Sequence, residues 1–183
     1  MKKGLYENEA RRSTFSFLNI SNNKNLPKLI VELPPVGKYC NGCYDGPPGG
    51  NPFVEENEVI NGEWVTGGHD TPTTDRKWNY IYYIFQGVFQ GKYIKNAIEL
   101  PINESGEYGK SETKYSYKKI GEVINKNGLK VYAFQVTPTF DSDSIGRKDA
   151  IFSKDGNTYY IMFDWKDKSF DDTFDQIINS VKL

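Results

Sequence analysis

The sequence has very little histidine and cysteine, and it has no long apolar run. With one His and two Cys among 183 residues, a histidine-dependent mechanism has a single candidate, and a framework of several disulfides is excluded. No apolar stretch approaches the ~20 residues that span a bilayer. The first thirteen residues also lack the apolar centre of a secretory signal. We therefore expect no transmembrane segment.

A large excess of charge of either sign is missing too. The chain has 23 basic and 24 acidic residues, so we expect no broad positive surface that could neutralise phosphates or hold an anionic membrane. This balance argues against nucleic acid as a partner. The expected partner is another protein or a small ligand, and we expect no cofactor and no bound metal.

The residues that are present are typical of one globular domain rich in β-structure. Hydrophobic residues make up 37% of the chain, charged residues 26% and aromatic residues 15%, with 13 Tyr and 11 Phe. Aromatic residues favour strands, and a domain of this length buries roughly 70% of its unfolded surface. We predict a flexible tail over residues 1–12 and a single α+β domain over residues 13–183.

Strand patterns in the first half are separated by a segment rich in Gly and Pro. Residues 14–17 alternate polar and apolar side chains, and residues 29–33 form an apolar run bounded by prolines. Between residues 34 and 53, glycine and proline are too dense for a helix or a central strand. This composition predicts a long irregular loop over 34–53.

The sequence after that loop is rich in turn-forming residues before strand character returns. Residues 62–75 favour turns, interrupted by Trp64 and Val65, which predict only a brief strand. Over residues 78–89, aromatic and aliphatic side chains occupy both alternating faces. We therefore predict a longer strand there, with at least partly covered faces.

Two β-hairpins are predicted in the last third of the chain. Asn127 and Gly128 separate two apolar runs, and this pair tolerates the positive φ angles of a tight turn. Residues 154–157 separate strand patterns at 150–152 and 158–165 in the same way. One face of the returning strand, expected to meet the core, carries Tyr159, Ile161, Phe163 and Trp165.

An amphipathic helix is predicted to close the chain. Ser169 offers a side-chain oxygen to the first helical amides, and acidic residues follow it near the positive end of the helix. The apolar stripe at helical spacing comprises Phe170, Phe174, Ile177, Ile178 and Val181. We expect a mostly antiparallel sheet of hairpins with this C-terminal helix packed on one face, an α+β fold.

The order of these last elements resembles a known family. A hairpin is followed by the strand DGNTYYIMFDW and then by the helix SFDDTFDQIINSVKL. Over residues 118–183 this layout resembles the C-terminal half of Mog1/PsbP-like domains, which include small exported lipoprotein modules of bacteria. The resemblance implies an α+β fold and a role in binding or assembly. It implies no catalytic residue, because it depends on layout rather than on a shared active site.

Cys40 and Cys43 form the most suggestive short motif. Two thiols three residues apart can close a small disulfide, act as a redox pair or supply half of a zinc site. We expect a disulfide that stiffens the loop if the protein is exported, and two bystander thiols if it is cytosolic. A zinc site would also need His69 with a carboxylate such as Asp70 or Asp75, at a spacing that structural zinc sites do not usually show.

His69 is the only histidine, so a histidine base or a catalytic triad would have to use it. Its neighbours Gly67, Gly68 and Asp70 favour a solvated turn instead. No nucleophile motif accompanies it in the sequence. We therefore expect a surface histidine and keep a hydrolase or metal-dependent enzyme centred on His69 as the alternative.

Aromatic side chains near the irregular loop are the remaining ligand-binding candidates. A planar ring there could stack on a sugar or line a pocket, although half-buried strand residues are the favoured interpretation. With His69, the candidates are Tyr39, Tyr44, Trp64 and Trp78. They support a further alternative, a carbohydrate-binding module.

The leading hypothesis from the sequence is a non-enzymatic binding or assembly module. It would be the soluble part of an exported bacterial protein, at the cell envelope or outside the cell if an export signal has been removed, and cytoplasmic otherwise. The sequence does not determine the partner, the oligomeric state or the redox state of Cys40 and Cys43. Whether the N-terminus is the native one is equally undetermined.

Overall fold

A computed structural model describes residues 16–19, 29–33, 59–69, 80–89, 92–108, 115–137 and 145–183. In these ranges the strands are β1 (Ser16–Asn19), β2 (Ile30–Leu33), β3 (Val59–His69), β4 (Tyr80–Phe89), β5 (Ser105–Tyr108), β6 (Tyr115–Ile124), β7 (Lys130–Val136), β8 (Gly146–Lys154) and β9 (Asn157–Trp165). The helices are α1 (Lys92–Glu99) and α2 (Thr173–Ser180). The predicted tail at 1–12 and the predicted loop at 34–53 lie outside the described residues.

Seven of these strands form one antiparallel sheet, in the order β3-β4-β9-β8-β7-β6-β5. From β5 to β9 the chain runs as a meander, because each strand pairs with the next one in sequence. β5 therefore lies at the outer edge of the sheet, and β9, at the other end of the meander, pairs with β4. β1 and β2 pair separately as a two-stranded ribbon. The prediction of an α+β fold with a mostly antiparallel sheet is confirmed.

The turn at Asn127 and Gly128 is confirmed, but it is longer than a two-residue hairpin loop. Gly128 has φ 78°, and its amide donates to the Asn125 carbonyl over 2.9 Å. The Asn125 amide donates to the Leu129 carbonyl, also over 2.9 Å. Three residues therefore connect the strands, and only glycine takes the left-handed conformation.

The second predicted hairpin is confirmed with a tighter connection. Lys154 pairs with Asn157, so two residues form the loop. These residues, Asp155 and Gly156, have φ 52° and 79°. Two consecutive positive φ angles match the turn whose twist agrees with that of antiparallel strands.

One face of the sheet is covered by α2, and we call it the α2 face. The predicted stripe is confirmed, because Phe174, Ile177, Ile178 and Val181 are buried and Phe170 is half-buried. They pack in one cluster with the predicted inward face of β9, namely Tyr159, Ile161, Phe163 and Trp165. The apolar stripe of this amphipathic helix and the apolar face of the sheet therefore shield each other from water.

The prediction that Ser169 begins this helix is wrong. Lys168–Phe170 is a separate 3-10 turn, and α2 starts at Thr173. Asp167 caps the turn, because its carboxylate oxygen accepts the Ser169 amide over 2.8 Å. The Ser169 amide is therefore the group that is capped, because the carboxylate of Asp167 accepts its hydrogen bond.

The other face of the sheet carries α1, which was not predicted from the sequence, and we call it the α1 face. Ile94 and Ala97 on the helix are buried against sheet residues. Those sheet residues are Tyr117, Phe134, Val136, Ile151 and Tyr160. The spacing of Ile94, Ala97 and Ile98 is helical, but the segment is too short for that pattern to be decisive.

β3 contradicts the prediction of turn-rich sequence over residues 62–69, and residues 70–75 lie outside the described ranges. It is one strand of eleven residues, Val59–His69, and it pairs with β4 along its length. The register shifts between Val59 and Asn61 and again between Trp64 and Thr66. Such bulges let one strand carry several glycines without losing its partner. The expected turn at His69 is wrong, since this residue pairs with Ile81.

The end of the chain is bonded to the ribbon near its beginning. The Ile30 amide donates to the Lys182 carbonyl over 2.8 Å, and the Lys182 amide donates back to Ile30 over 2.9 Å. The Ser180 hydroxyl accepts the Glu32 amide over 2.8 Å. Val31 of β2 and Leu29 just before it belong to the α2-face core. These bonds therefore attach β2 to the segment that follows α2.

Candidate binding surface

Most of the residues singled out by sequence lie outside the described ranges. Cys40 and Cys43, Tyr39, Tyr44 and Trp78 are among them, so the predicted disulfide and most of the aromatic site stay predictions. Trp64 and His69 are strand residues of β3, opposite Phe85 and Ile81 of β4. Five residues of extended strand, about 16 Å, separate their backbones. In the described part of the chain, no three His, Cys, Asp or Glu side chains meet as a metal site.

Four tyrosine side chains of the sheet are core residues. Tyr80, Tyr82, Tyr159 and Tyr160 are each at most 1% exposed. The rings of Phe152 and Tyr159 stack with centroids 4.9 Å apart. These aromatic side chains are therefore used for packing. The interpretation of Tyr39, Tyr44, Trp64 and Trp78 as half-buried strand residues stays a prediction.

A buried ionic cluster lies on the α1 face, where the sequence pattern had suggested only strands. Arg147 and Asp149 are two residues apart on β8 and face the same way. The Arg147 Nε donates to Asp149 Oδ1 over 3.0 Å, and its Nη2 donates to Oδ2 over 2.9 Å. Tyr160 of β9 joins them, because its hydroxyl donates to Asp149 and accepts from Arg147 Nη2 over 3.2 Å.

Burial and the neighbouring charges shift the pKa values of Tyr160 and Arg147. The three side chains are 3%, 0% and 1% exposed. Burial, then the charge of Asp149, raises the pKa of the Tyr160 hydroxyl well above its usual value. Burial would lower the pKa of Arg147, but the charges of Asp149 and Tyr160 and the hydrogen bonds to both residues together raise it. The cluster therefore holds one cation, one anion and a neutral phenol, enclosed in protein.

A second ionic group depends on a bulge in β6. Residues three apart on a regular strand face opposite sides, but the register of β6 shifts between Lys119 and Gly121. Lys119 then lies opposite Phe134, and Glu122 lies opposite Tyr132, both of which belong to or pack on the α1-face cluster. The bulge thus brings Lys119 and Glu122 to the same face.

Lys119 connects α1 to this strand. Its side chain is 1% exposed, and its ammonium donates to the Ile98 carbonyl in the last turn of α1 and to Glu122 Oε1, each over 2.6 Å. The Lys130 ammonium lies 2.7 Å from Glu122 Oε2. A cation at the carboxyl end of a helix opposes the negative end of its dipole. Lys119 therefore both caps α1 and forms an ion pair with the sheet.

The two lysines change the titration of Glu122. Hydrogen bonds from Lys119 and then from Lys130 lower the pKa of this carboxyl from 4.5 to about 2. Both ammonium groups also lie 5.0 Å from the centre of the Tyr132 ring, within range of a cation–π attraction. At neutral pH the group is thus two cations, one anion and an aromatic ring.

Beside this ionic group, part of the outer edge of β6 has no partner strand among the described residues. β5 pairs with β6 only as far as Lys118, and the turn before β5 adds two backbone bonds to Lys119. In the described ranges, no strand pairs with the outer edge of β6 between Gly121 and Ile124. Unpaired amides and carbonyls at a sheet edge can accept another extended segment.

Apolar side chains lie exposed along the same edge. Ile102, Ile120 and Ile124 are 50%, 36% and 64% exposed. Ile102 and Ile120 are next to Asn103 and Lys119, which are hydrogen-bonded to each other. We call Ile102, Ile120, Glu122 and Ile124 the β6 edge surface. A glycine inside a strand pattern, here Gly121, signals a bulge in sequence, but the exposure of these isoleucines depends on which strands pair.

Comparisons with known proteins add no relative. A scan against protein-family models and a search of curated proteins found no match to this chain. The resemblance to Mog1/PsbP-like domains therefore stays a prediction. Among the helices that the structure describes, neither is long and apolar enough to cross a membrane.

Proposed function

We propose that this chain is a non-enzymatic binding or assembly module that contacts another protein. The observation that carries the proposal is the β6 edge surface, where exposed isoleucines flank an open strand edge. Soluble domains usually blunt or cover their sheet edges. An apolar side chain next to unpaired backbone groups is better satisfied by a protein partner than by water.

The ionisable clusters of the described part support a binding role. Arg147, Asp149 and Tyr160 bond to one another inside the protein, where a substrate has no access. Lys119 is equally buried and bonded to Glu122 and α1. We further propose, from the resemblance of residues 118–183, that the module is the soluble part of an exported bacterial protein.

Photo-crosslinking in the source cells tests the proposal. A photoreactive amino acid at Ile124 is expected to yield a discrete adduct with a second protein. The matched control is Ile145, another exposed isoleucine at 52%, directly before β8. Equal adducts from both positions, or none from Ile124, would overturn the proposed role of this surface.

A further inference from the structure

The turn between β6 and β7 contains an Asn-Gly pair, a sequence prone to chemical change. The sequence has three such pairs, at 41–42, 61–62 and 127–128. The first lies outside the described residues, the second belongs to β3, and the third forms this turn. The backbone nitrogen of a glycine can approach the preceding asparagine side chain closely, because glycine has no side chain to obstruct it. Asn127 is therefore a candidate site of deamidation.

Deamidation would proceed through a cyclic imide and would consume only water. The Gly128 nitrogen loses its proton to solvent and attacks Cγ of Asn127. A bond between that nitrogen and Cγ forms, the Cγ–Nδ2 bond breaks, and ammonia leaves after taking a proton from solvent. Water then opens the imide at either carbonyl. The product is an aspartate or, where the chain runs through the side-chain carboxyl, an isoaspartate.

Hydrogen bonds of the folded chain hold both reacting groups. The Gly128 amide, whose nitrogen would attack, donates to the Asn125 carbonyl over 2.9 Å. The Asn127 Nδ2, which would leave, donates to the Val181 and Ser180 carbonyls over 2.9 and 3.3 Å. Asn127 and Gly128 are exposed, so solvent reaches them and burial does not protect them. Closure of the imide therefore requires that the turn first releases these bonds.

The buried side chain of Asn125 connects the opening of this turn to the end of α2. It is 4% exposed, its Oδ1 accepts the Asn127 amide over 3.0 Å, and its Nδ2 donates to the Val181 carbonyl over 2.8 Å. An opening of the turn therefore breaks bonds to the segment after α2 as well. A slow reaction of an opened state follows the population of that state, so the stability of these bonds sets the rate of deamidation.

We propose that Asn127 is a deamidation site that the folded chain protects, and that its conversion leaves the turn unable to restore its bonds to the end of α2. A carboxylate has no hydrogen to donate, so the Val181 and Ser180 carbonyls lose the donor that Asn127 supplies. The isoaspartate product also lengthens the backbone of the turn by one methylene group. Each opening that ends in deamidation is thus recorded in the chain. The proposal goes beyond the binding role, because it does not involve the β6 edge surface.

Peptide mapping by mass spectrometry, after incubation of the full chain at neutral pH, tests the protection. Asn127 should deamidate at least about tenfold more slowly in the folded chain than in guanidinium, because only the opened turn reacts. Asn125→Ala should raise the folded-state rate about five- to thirtyfold, and the control Lys168→Ala, at an exposed position, should leave it unchanged. Each rate is divided by that of the same variant in guanidinium, which removes the effect of local sequence.

Asn125→Asp provides a milder variant in case Asn125→Ala does not fold. It keeps the oxygen that accepts the Asn127 amide and loses the donor to Val181, so it should also react faster than the wild type. Equal rates in the folded and the unfolded wild type would refute the protection. A folded Asn125 variant that reacts no faster than Lys168→Ala would refute it as well.

Asn127→Asp reproduces one product and tests its effect on the turn. Hydrogen exchange read by NMR should be at least about fivefold faster at the Leu129 amide and at the side-chain amide of Asn125, because the turn opens more often. The matched control is Asn96→Asp, the same change at an exposed position on α1, which should exchange at the wild-type rate. Wild-type exchange in Asn127→Asp would show that the product still allows the turn to close on α2.

Discussion

Arg147 and Asp149 stand two residues apart on β8, so their side chains project from one face and can meet. Both are enclosed beneath the α1 face, where an isolated charge would cost far more than an ion pair. Tyr160 then supplies a hydroxyl to each partner. The pair is stable because each polar atom of Asp149 accepts a hydrogen bond within the cluster.

Removing the anion should be strongly destabilising. Asp149→Ala leaves Arg147 buried without its counter-charge, and the free energy of unfolding should fall by about 3–5 kcal/mol. Urea unfolding followed by circular dichroism measures this. As a matched comparison, replacing Arg147 by Met and Asp149 by Leu together should recover much of the loss. A cost below about 1 kcal/mol for Asp149→Ala would contradict the buried pair.

The Lys119–Glu122–Lys130 group makes a prediction about pH. The pKa of Glu122 is lowered to about 2 in the folded protein, against about 4.3 in an unfolded chain. A lowered pKa stabilises the fold above the unfolded value, and this contribution disappears as the pH falls through the folded value. The wild type should therefore exceed Glu122→Gln in stability at neutral pH, and the difference should shrink between about pH 4.5 and 2.

Urea unfolding of both proteins across this pH range provides the measurement. High salt should also reduce the difference, because the carboxylate and Lys130 are partly exposed. A difference that stays constant down to pH 2 would show that the ion pairs do not lower the pKa of Glu122.

At the scale of elements, the turn between β6 and β7 donates hydrogen bonds to carbonyls at the end of α2. The Asn125 amide group donates to the Ile178 and Val181 carbonyls over 3.1 and 2.8 Å. Its side-chain oxygen accepts the amides of Asn127 and Leu129, each over 3.0 Å. One buried side chain therefore shapes the β6–β7 turn and satisfies carbonyls that a helix leaves unbonded at its end.

Asn125→Ala should accordingly lower the free energy of unfolding by about 1–3 kcal/mol, because buried groups lose their partners. The control is Lys126→Ala at the next, exposed position, which should change stability by less than about 0.5 kcal/mol. Thermal unfolding of both variants measures the effect. Equal costs for the two would show that the turn and α2 are not coupled through Asn125.

At the scale of the whole molecule, the ribbon of β1 and β2 depends on the end of the chain. Lys182→Pro removes the amide that donates to Ile30. Val181 before it has φ −55° and ψ 128°, which a following proline tolerates. We expect faster amide exchange at Ile30 and Glu32 in this variant, with the sheet core unchanged.

Lys182→Ala keeps the backbone amide and is the matched control, so it should exchange at the wild-type rate. Hydrogen exchange read by NMR resolves the individual amides. If the two variants exchange alike, the bond to Ile30 does not hold the ribbon in place.

Local sequence by itself determined much of the C-terminal half. The pairs Asn127-Gly128 and Asp155-Gly156 predict reversals of the chain, because few residues adopt positive φ angles without cost. The stripe containing Phe174 and Ile178 predicts a buried helix face, because its period matches the helical turn. Each of these signals depends on residues close together in the chain, and each is confirmed.

Only the tertiary structure decided the rest. β3 is a long strand because β4 provides hydrogen bonds along its length, which overrides the turn preference of its glycines. α1 is a helix of eight residues, too short to be stable without the sheet beneath it. The β6 edge surface arises where β5 ends and a bulge reverses the alternation. Pairing between distant strands settles such features, and no local pattern encodes the partner.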